Sequence, residues 1–173
     1  ESMDAELDGR KAGSFGDIGT FSFFFSHHLS TIEGGMLTTD DEELDAVARS
    51  IRAHGWSRDV PKGIDLCEPF DDEFYESYRF ILPGYNVRPQ EINAAIGIQQ
   101  LRKLPQMTEV RRANLAIFQK LFKNDNRFII QRENGKSSSF SFSVILKPEK
   151  SFDRTRVMTA LREAKIGFRM ITG

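Results

Sequence analysis

The residues best suited to chemistry gather between positions 19 and 35. A stretch rich in Thr and Phe, GTFSFFF at 19–25, runs into Ser26, His27 and His28 and then into Glu33-Gly34-Gly35. Aromatic and hydroxyl-bearing β-branched residues suit a buried strand. Strand ends that feed loops are where sites are usually built. An imidazole, with an unperturbed pKa of about 6.5, can take and return protons near neutral pH. Neighbouring residues on a strand point to opposite faces, so only one of the two histidines should face a given pocket. The pattern alone leaves His27 open between two readings, a hydrogen-bonded core histidine and a site group. Zinc is disfavoured, because the chain has three histidines and no His-x-x-x-His or His/Cys cluster. Ser26 beside His27 is not the Gly-x-Ser-x-Gly elbow that exposes a nucleophile.

The elements that must position these residues follow from periodicity and turn chemistry. Asp8-Gly9 reads as a hairpin turn, and 13–16 as a second turn. Residues 19–25 and 34–39 read as strands. Asp40 or Asp41 caps a helix reaching about Ala53, with Leu44, Val47, Ala48 and Ile51 on its apolar face. Residues 54–83 are irregular, and a loop of that length inside a compact chain is usually functional or disordered. Pro89 suits the first turn of a helix running to about Leu104, and Pro105 starts another, striped by Val110, Leu115, Phe118, Leu121 and Phe122. Arg111 and Arg112 read as a solvated face of that helix. Residues 128–131, 139–146 and 166–171 look like strands, with a helix at about 153–164 before the last. That β-β-α-β order predicts a small α+β unit after Asn124.

The bulk numbers exclude several classes. The chain has 173 residues, 39% hydrophobic and 28% charged, as a globular protein with a core does. A net charge of -1 gives no electrostatic footprint for nucleic acid or an anionic membrane. No apolar run approaches the roughly 20 residues of a membrane helix. With Cys67 as the single cysteine, no intrachain disulfide can form, which suits a cytoplasmic setting. The sequence opens Glu1-Ser2-Met3 without a signal-peptide pattern and closes on Ile171-Thr172-Gly173 as a strand begins, so both ends read as truncations.

Longer motifs add a resemblance. Ser22-Phe23, three residues, His27 and then Glu33-Gly34-Gly35 resembles the lysine motif of the DegT-type sugar aminotransferase and dehydratase family, with His27 in the lysine place. The likeness continues through Arg52-Ala53-His54-Gly55-Trp56-Ser57-Arg58 and Leu82-Pro83-Gly84-Tyr85-Asn86-Val87-Arg88-Pro89. It extends to Lys103-Leu104-Pro105, Arg111-Arg112, Gly135-Lys136-Ser137-Ser138 and Thr172-Gly173. The resemblance implies an α/β fold. It implies a fragment of a fold-type I, aspartate aminotransferase-like transferase dependent on pyridoxal 5'-phosphate (PLP). Residues 1–124 would be the second half of the large PLP-binding domain with its linking helices, and 125–173 part of the small C-terminal domain.

A dehydratase branch of that family is similar in having histidine where the others have lysine. Imidazole cannot make lysine's covalent link to PLP. The resemblance therefore implies PLP, or its amine form pyridoxamine 5'-phosphate, held non-covalently. L-Glutamate would be the amine donor and a nucleotide-linked 4-keto-6-deoxy sugar the substrate, losing its C3 hydroxyl. His27 would remove a proton from the cofactor and protonate the departing hydroxyl. Ser22 matches a serine bound to the cofactor phosphate, and Asn86 an asparagine reaching that phosphate from the neighbouring subunit of a homodimer. Read without the resemblance, Ser22 is a strand serine and Asn86 a turn residue. Arg88 is a candidate for a substrate carboxylate, or a surface charge at a helix start. His54 contacts cofactor or substrate across the dimer interface, or caps helix carbonyls. Trp56 and Arg58 line the nucleotide-sugar site.

The family's aspartate for the pyridine nitrogen should lie just before Glu1, so the chain alone is not expected to complete a PLP site. A sugar aminotransferase working without lysine and a non-catalytic fragment are the alternatives. The CDP-sugar branch carries an iron–sulfur cluster, which Cys67 alone does not supply.

Overall fold

A computed structural model describes residues 1–148 and 153–171. The chain opens with β1 (Glu6–Leu7) and β2 (Arg10–Lys11), paired with Leu7 opposite Arg10. Asp8 and Gly9 between them both have positive φ, 49° and 79°, as a two-residue turn of this type demands. β3 (Gly19–Ser22) pairs antiparallel with β4 (Gly35–Thr38), and Ser22 stands opposite Gly35. This strand is shorter than expected and not buried. Gly19 is buried and Phe21 half-buried, whereas Phe25 is 67% exposed. A two-stranded ribbon with no second layer on its other face cannot bury a full aromatic run.

α1 (Glu42–Arg52) begins where expected, with the Asp41 side chain accepting from the Leu44 N–H at 3.0 Å. Its C-terminal carbonyls are closed by a returning segment. The Tyr85 N–H donates to Ile51 O at 2.7 Å and the Val87 N–H to Arg52 O at 3.0 Å. That crossing requires two glycines. A Cβ on Gly55 (φ 82°) would lie 1.6 Å from Leu82 O, and one on Gly84 would lie 2.1 Å from Gly55 N. The region expected to be irregular holds a 3-10 turn at Ser57–Asp59 and the short α2 (Glu73–Ser77). Asp72 caps α2 by accepting from Phe74 and Tyr75 N–H.

Two helices expected on either side of Pro105 are one, α3 (Glu91–Phe122), with Gln90 at its N-cap, so Pro89 precedes the first turn rather than lying in it. Proline costs about 3 kcal/mol inside a helix. Here it interrupts one bond, to Leu101, which is 57% exposed. Continuity is favoured because Leu104, Thr108 and Leu115, all buried, fall within about 40° of one another around a single axis. β5 (Phe128–Ile130) and β6 (Val144–Leu146) form a third antiparallel pair, followed by α4 (Arg154–Glu163). Phe118, Phe122, Phe128 and Phe142 cluster at the junction of α3 and this pair, with ring centroids 4.8–5.2 Å apart. The strand expected at 139–146 is only its last part. The one expected at 166–171 is not a strand, since no described strand pairs with it; Arg162 instead lies over the Phe168 ring. The Thr172-Gly173 motif lies outside the described residues.

Fully buried apolar side chains are few: Leu29, Ala46, Ala53, Leu104 and Leu115. Many large ones face outward, among them Phe74, Tyr85 and Leu121. Among the described residues no helix is long and apolar enough to cross a membrane. Gly55→Ala is expected to lower stability by about 2 kcal/mol or more, through the backbone clash and the positive φ. The urea midpoint of the intact protein measures this, and an unchanged midpoint would contradict the tight crossing.

Candidate functional site

The loop after β3 carries both histidines. They lie beyond the strand rather than on it, yet they still face different surroundings. His27 is half-buried, with Nε2 3.5 Å from the Glu1 carboxylate and its ring 5.9 Å from those of Phe24 and Phe140. Its Nδ1 is buried and has no hydrogen-bond partner. The Glu1 carboxylate stands beside Nε2 at ion-pair distance, with no hydrogen bond between them. His28 is buried, 3% exposed, and its Nε2 meets the carbonyl of Ser138. Burial pushes the His28 imidazole below its ordinary value and Arg111 adds to this, while the Ser138 carbonyl opposes it.

Segment 137–141 closes over this loop. Three successive carbonyls are taken up by side chains. Arg112 Nε donates to Ser137 O at 3.3 Å, His28 Nε2 to Ser138 O, and Arg111 Nη1 to Ser139 O at 3.2 Å. Arg111 and Arg112 are thus clamps and not a solvated face; Arg112 also donates to Asp4 O at 2.9 Å. The Ser138 hydroxyl donates to Met3 O. Between this segment and the chain's first residues lies a hollow of about 210 Å³, lined by Glu1, Ser2, Gln131 and Ser137 to Ser141. On the other side, Asn93 of α3 donates to Thr31 O at 2.6 Å and Glu33 O at 2.8 Å, fixing the turn before Gly34-Gly35. The sequence reading missed Glu1, Asn93 and Phe140. Asn93 sits in a motif-bearing helix, but nothing local marked the other two.

Ser22 sits exposed at the end of β3, where its Oγ accepts from the Phe24 N–H at 3.3 Å and its own hydrogen stays available. The other expected residues form a second cluster. His54 is exposed with φ 66°, and its N–H donates to Tyr85 O at 2.8 Å. The α1 carbonyls are satisfied by backbone donors, so His54 is not needed as their cap. Asn86 bridges to Ala53 and is exposed, as is Arg88. Arg58 lies over the Trp56 ring at 3.6 Å, Trp56 stacks on Phe80 at 5.5 Å, and its Nε1 donates to Ser77 O at 2.9 Å. Among the described residues, no hydrogen bond, ion pair or ring contact joins this cluster to the one around His27. Nor do the described residues include a His/Cys/Asp/Glu group able to hold a metal ion.

The first cluster fits a phosphorylated cofactor held without a covalent bond. Nδ1 of His27 is a buried nitrogen awaiting a partner, and Ser22 has a free hydroxyl hydrogen for an anionic oxygen. Lys11 is bound to Asp4 and Glu6, and Lys136 to Glu6.

Comparison with known proteins shows the family. The DegT/DnrJ/EryC1/StrS aminotransferase family matches residues 1–172. A GDP-4-keto-6-deoxy-D-mannose 3-dehydratase of Yersinia pseudotuberculosis is 49% identical over 175 aligned residues, covering 100% of this chain and 44% of that protein. The E. coli enzyme of that name, solved with bound hydrated PLP, superposes with a TM-score of 0.87 at 46% identity, covering 95% of this chain and 42% of that one. A mutant solved with bound GDP-perosamine gives 0.87 at 45%, covering 95% and 43%. The chain thus spans less than half the length of these relatives, and its fold is that of the PLP-dependent aminotransferase-like proteins.

Because His28 is held below its ordinary value, stability gained with the neutral ring is present above the unfolded pKa of about 6.5 and lost as pH falls below it. Denaturation midpoints of the intact protein at about pH 7.5 and about pH 5 should therefore differ more in the wild type than in His28→Gln. Equal differences would contradict the buried neutral imidazole.

Proposed function

This chain belongs to the DegT/DnrJ/EryC1/StrS aminotransferase family, and from that premise we propose that it serves the 3-dehydration of a nucleotide-linked 4-keto-6-deoxy sugar. GDP-4-keto-6-deoxy-D-mannose is the first candidate, with L-glutamate as amine donor. The observation that carries the reading is a histidine, not a lysine, in the loop after β3, with a buried and unpartnered Nδ1. The identity to relatives named for this reaction supports it.

When bound, PLP would supply a carbonyl that accepts glutamate's amine and a ring that accepts an electron pair. The chain's own residues would do the rest. Ser22 donates its hydroxyl hydrogen to the phosphate. His27, oriented by Glu1 through Nε2, accepts a proton at Nδ1 and returns it to the departing C3 hydroxyl, a transfer suited to an imidazole near neutral pH. Phe24 and Phe140 flank the ring and limit water around it. Without a lysine the cofactor would stay unlinked to the chain. Loss of the C3 hydroxyl would leave the transferred nitrogen on C4 of the sugar as an enamine, whose C–N bond water hydrolyses to give the ketone and ammonia. The two electrons for the deoxygenation would come from glutamate, which leaves as 2-oxoglutarate in each cycle.

The second cluster suits a homodimer in which Asn86 reaches the partner's cofactor phosphate and His54, Trp56, Arg58 and Arg88 face its substrate. The exposure of His54, Arg58, Asn86 and Arg88, and their separation from His27 within one chain, support that arrangement. Residues 1–124 would belong to the large domain and 125–173 to the small one, a division supported by the end of α3 at Phe122 and the separate β5–β6 pair that follows it. A cytoplasmic setting fits the nucleotide-sugar substrate.

The test is to incubate the intact protein with PLP, L-glutamate and GDP-4-keto-6-deoxy-D-mannose and weigh the sugar product. Loss of the C3 oxygen is expected, and gain of an amine would mean an aminotransferase instead. His27→Asn is expected to lower turnover by about a hundredfold or more while leaving PLP binding intact. Near-normal turnover in that variant would remove His27 from the chemistry.

A further inference from the structure

We propose that His28 is a positioning residue, whose Nε2–H holds segment 137–141 against the His27 loop so that Phe140 fixes the plane and exposure of the His27 imidazole. The proposal rests on the reading of His27 as the proton carrier and concerns a neighbour that no motif assigns to the chemistry.

Four observations carry it. His28 is 3% exposed, so its ring has been moved into the interior with one nitrogen committed to a backbone carbonyl distant in sequence. That carbonyl, Ser138 O, is the middle of three successive carbonyls taken up by side chains, flanked by those that Arg112 and Arg111 hold. The next residue, Phe140, touches both histidines, with its ring centroid 5.9 Å from each. Lastly, the same segment walls the hollow that also includes Glu1, the residue facing His27 Nε2. The two arginines alone would anchor the ends of the carbonyl row. Of the three, the middle contact comes from the His27 loop itself, so His28 ties the segment carrying Phe140 to that loop.

A uniform structural role would not require a donor at this position, since an apolar ring of similar size would fill the space. Positioning requires the N–H. His28→Leu fills volume without a donor, whereas the side-chain amide of His28→Gln can place an N–H near that of Nε2. Phe140→Leu removes the aromatic contact and leaves His28 alone.

The experiment uses the intact protein with carbon-13-labelled histidine, reading the Cε1–H signal of His27 by NMR alongside steady-state turnover of the nucleotide sugar. In His28→Leu the His27 signal should move, as the ring-current effect of Phe140 is lost. kcat should fall about ten- to a hundredfold with KM and PLP affinity little changed, the cost of a misplaced catalytic group. His28→Gln should keep the signal and stay within about twofold of wild-type kcat, small on the scale of misplacement. Phe140→Leu should move the signal in the same direction as His28→Leu. Three results would each overturn the proposal. One is an unmoved signal in both His28→Leu and Phe140→Leu. Another is a moved signal with unchanged kcat. The third is His28→Gln failing as badly as His28→Leu. If the wild type turns over no sugar, the functional reading fails by itself, and the NMR comparison still decides whether His28 places Phe140 on His27.

Discussion

The arrangement around His27 depends on a row of three backbone carbonyls, those of Ser137, Ser138 and Ser139, each held by a side chain. Buried carbonyls must find donors, and a loop returning from beyond α3 has no strand partner to supply them. Two arginines of α3 and one histidine of the β3–β4 loop do so. The outcome is a junction of the N-terminal residues, the histidine loop, the long helix and a segment remote in sequence. A hollow forms there, lined by Glu1 and Phe140, two residues that also approach His27. Continuity of α3 through Pro105 matters for the same reason, because Asn93 and Arg111 lie on either side of that proline and grip opposite ends of the site.

The chain spans less than half the length of its relatives, and much apolar surface lies outside. Among the described residues few apolar side chains are buried, and aromatic residues from Phe70 to Tyr85 are largely exposed. Exposed apolar patches of that kind mark surfaces that meet other protein. On the proposed reading, the turn built on Gly55 and Gly84 presents His54, Trp56, Asn86 and Arg88 outward as a unit, held by backbone bonds to the end of α1. Their rigidity comes from that close backbone crossing and does not need a packed core beneath them.

Local chemistry made much of this legible in the sequence. The Asp8-Gly9 turn, the Asp41 cap, the two strands around the histidines and the last helix each follow from short-range rules. What escaped was set by contacts far apart in the chain. Pro105 looked like a helix start because proline usually is one, yet a single buried face through Leu104, Thr108 and Leu115 outweighed it. Arg111 and Arg112 looked like surface charges because their acceptors are backbone carbonyls, which carry no sequence signal. The aromatic run at 19–25 looked buried because hydrophobicity cannot show whether a second layer is present. His27 stood out by type and spacing, whereas Glu1 and Phe140, its neighbours in space, did not.

On the proposed reading, a histidine in the lysine place leaves the cofactor unlinked, and 3-dehydration followed by hydrolysis releases the amine as ammonia. The most direct measurement follows ammonium and 2-oxoglutarate together while the intact protein turns over the nucleotide sugar with L-glutamate. The account predicts that ammonium rises in step with 2-oxoglutarate and that no nitrogen enters the sugar. Continued formation of 2-oxoglutarate without ammonium, with nitrogen recovered in the sugar, would contradict it.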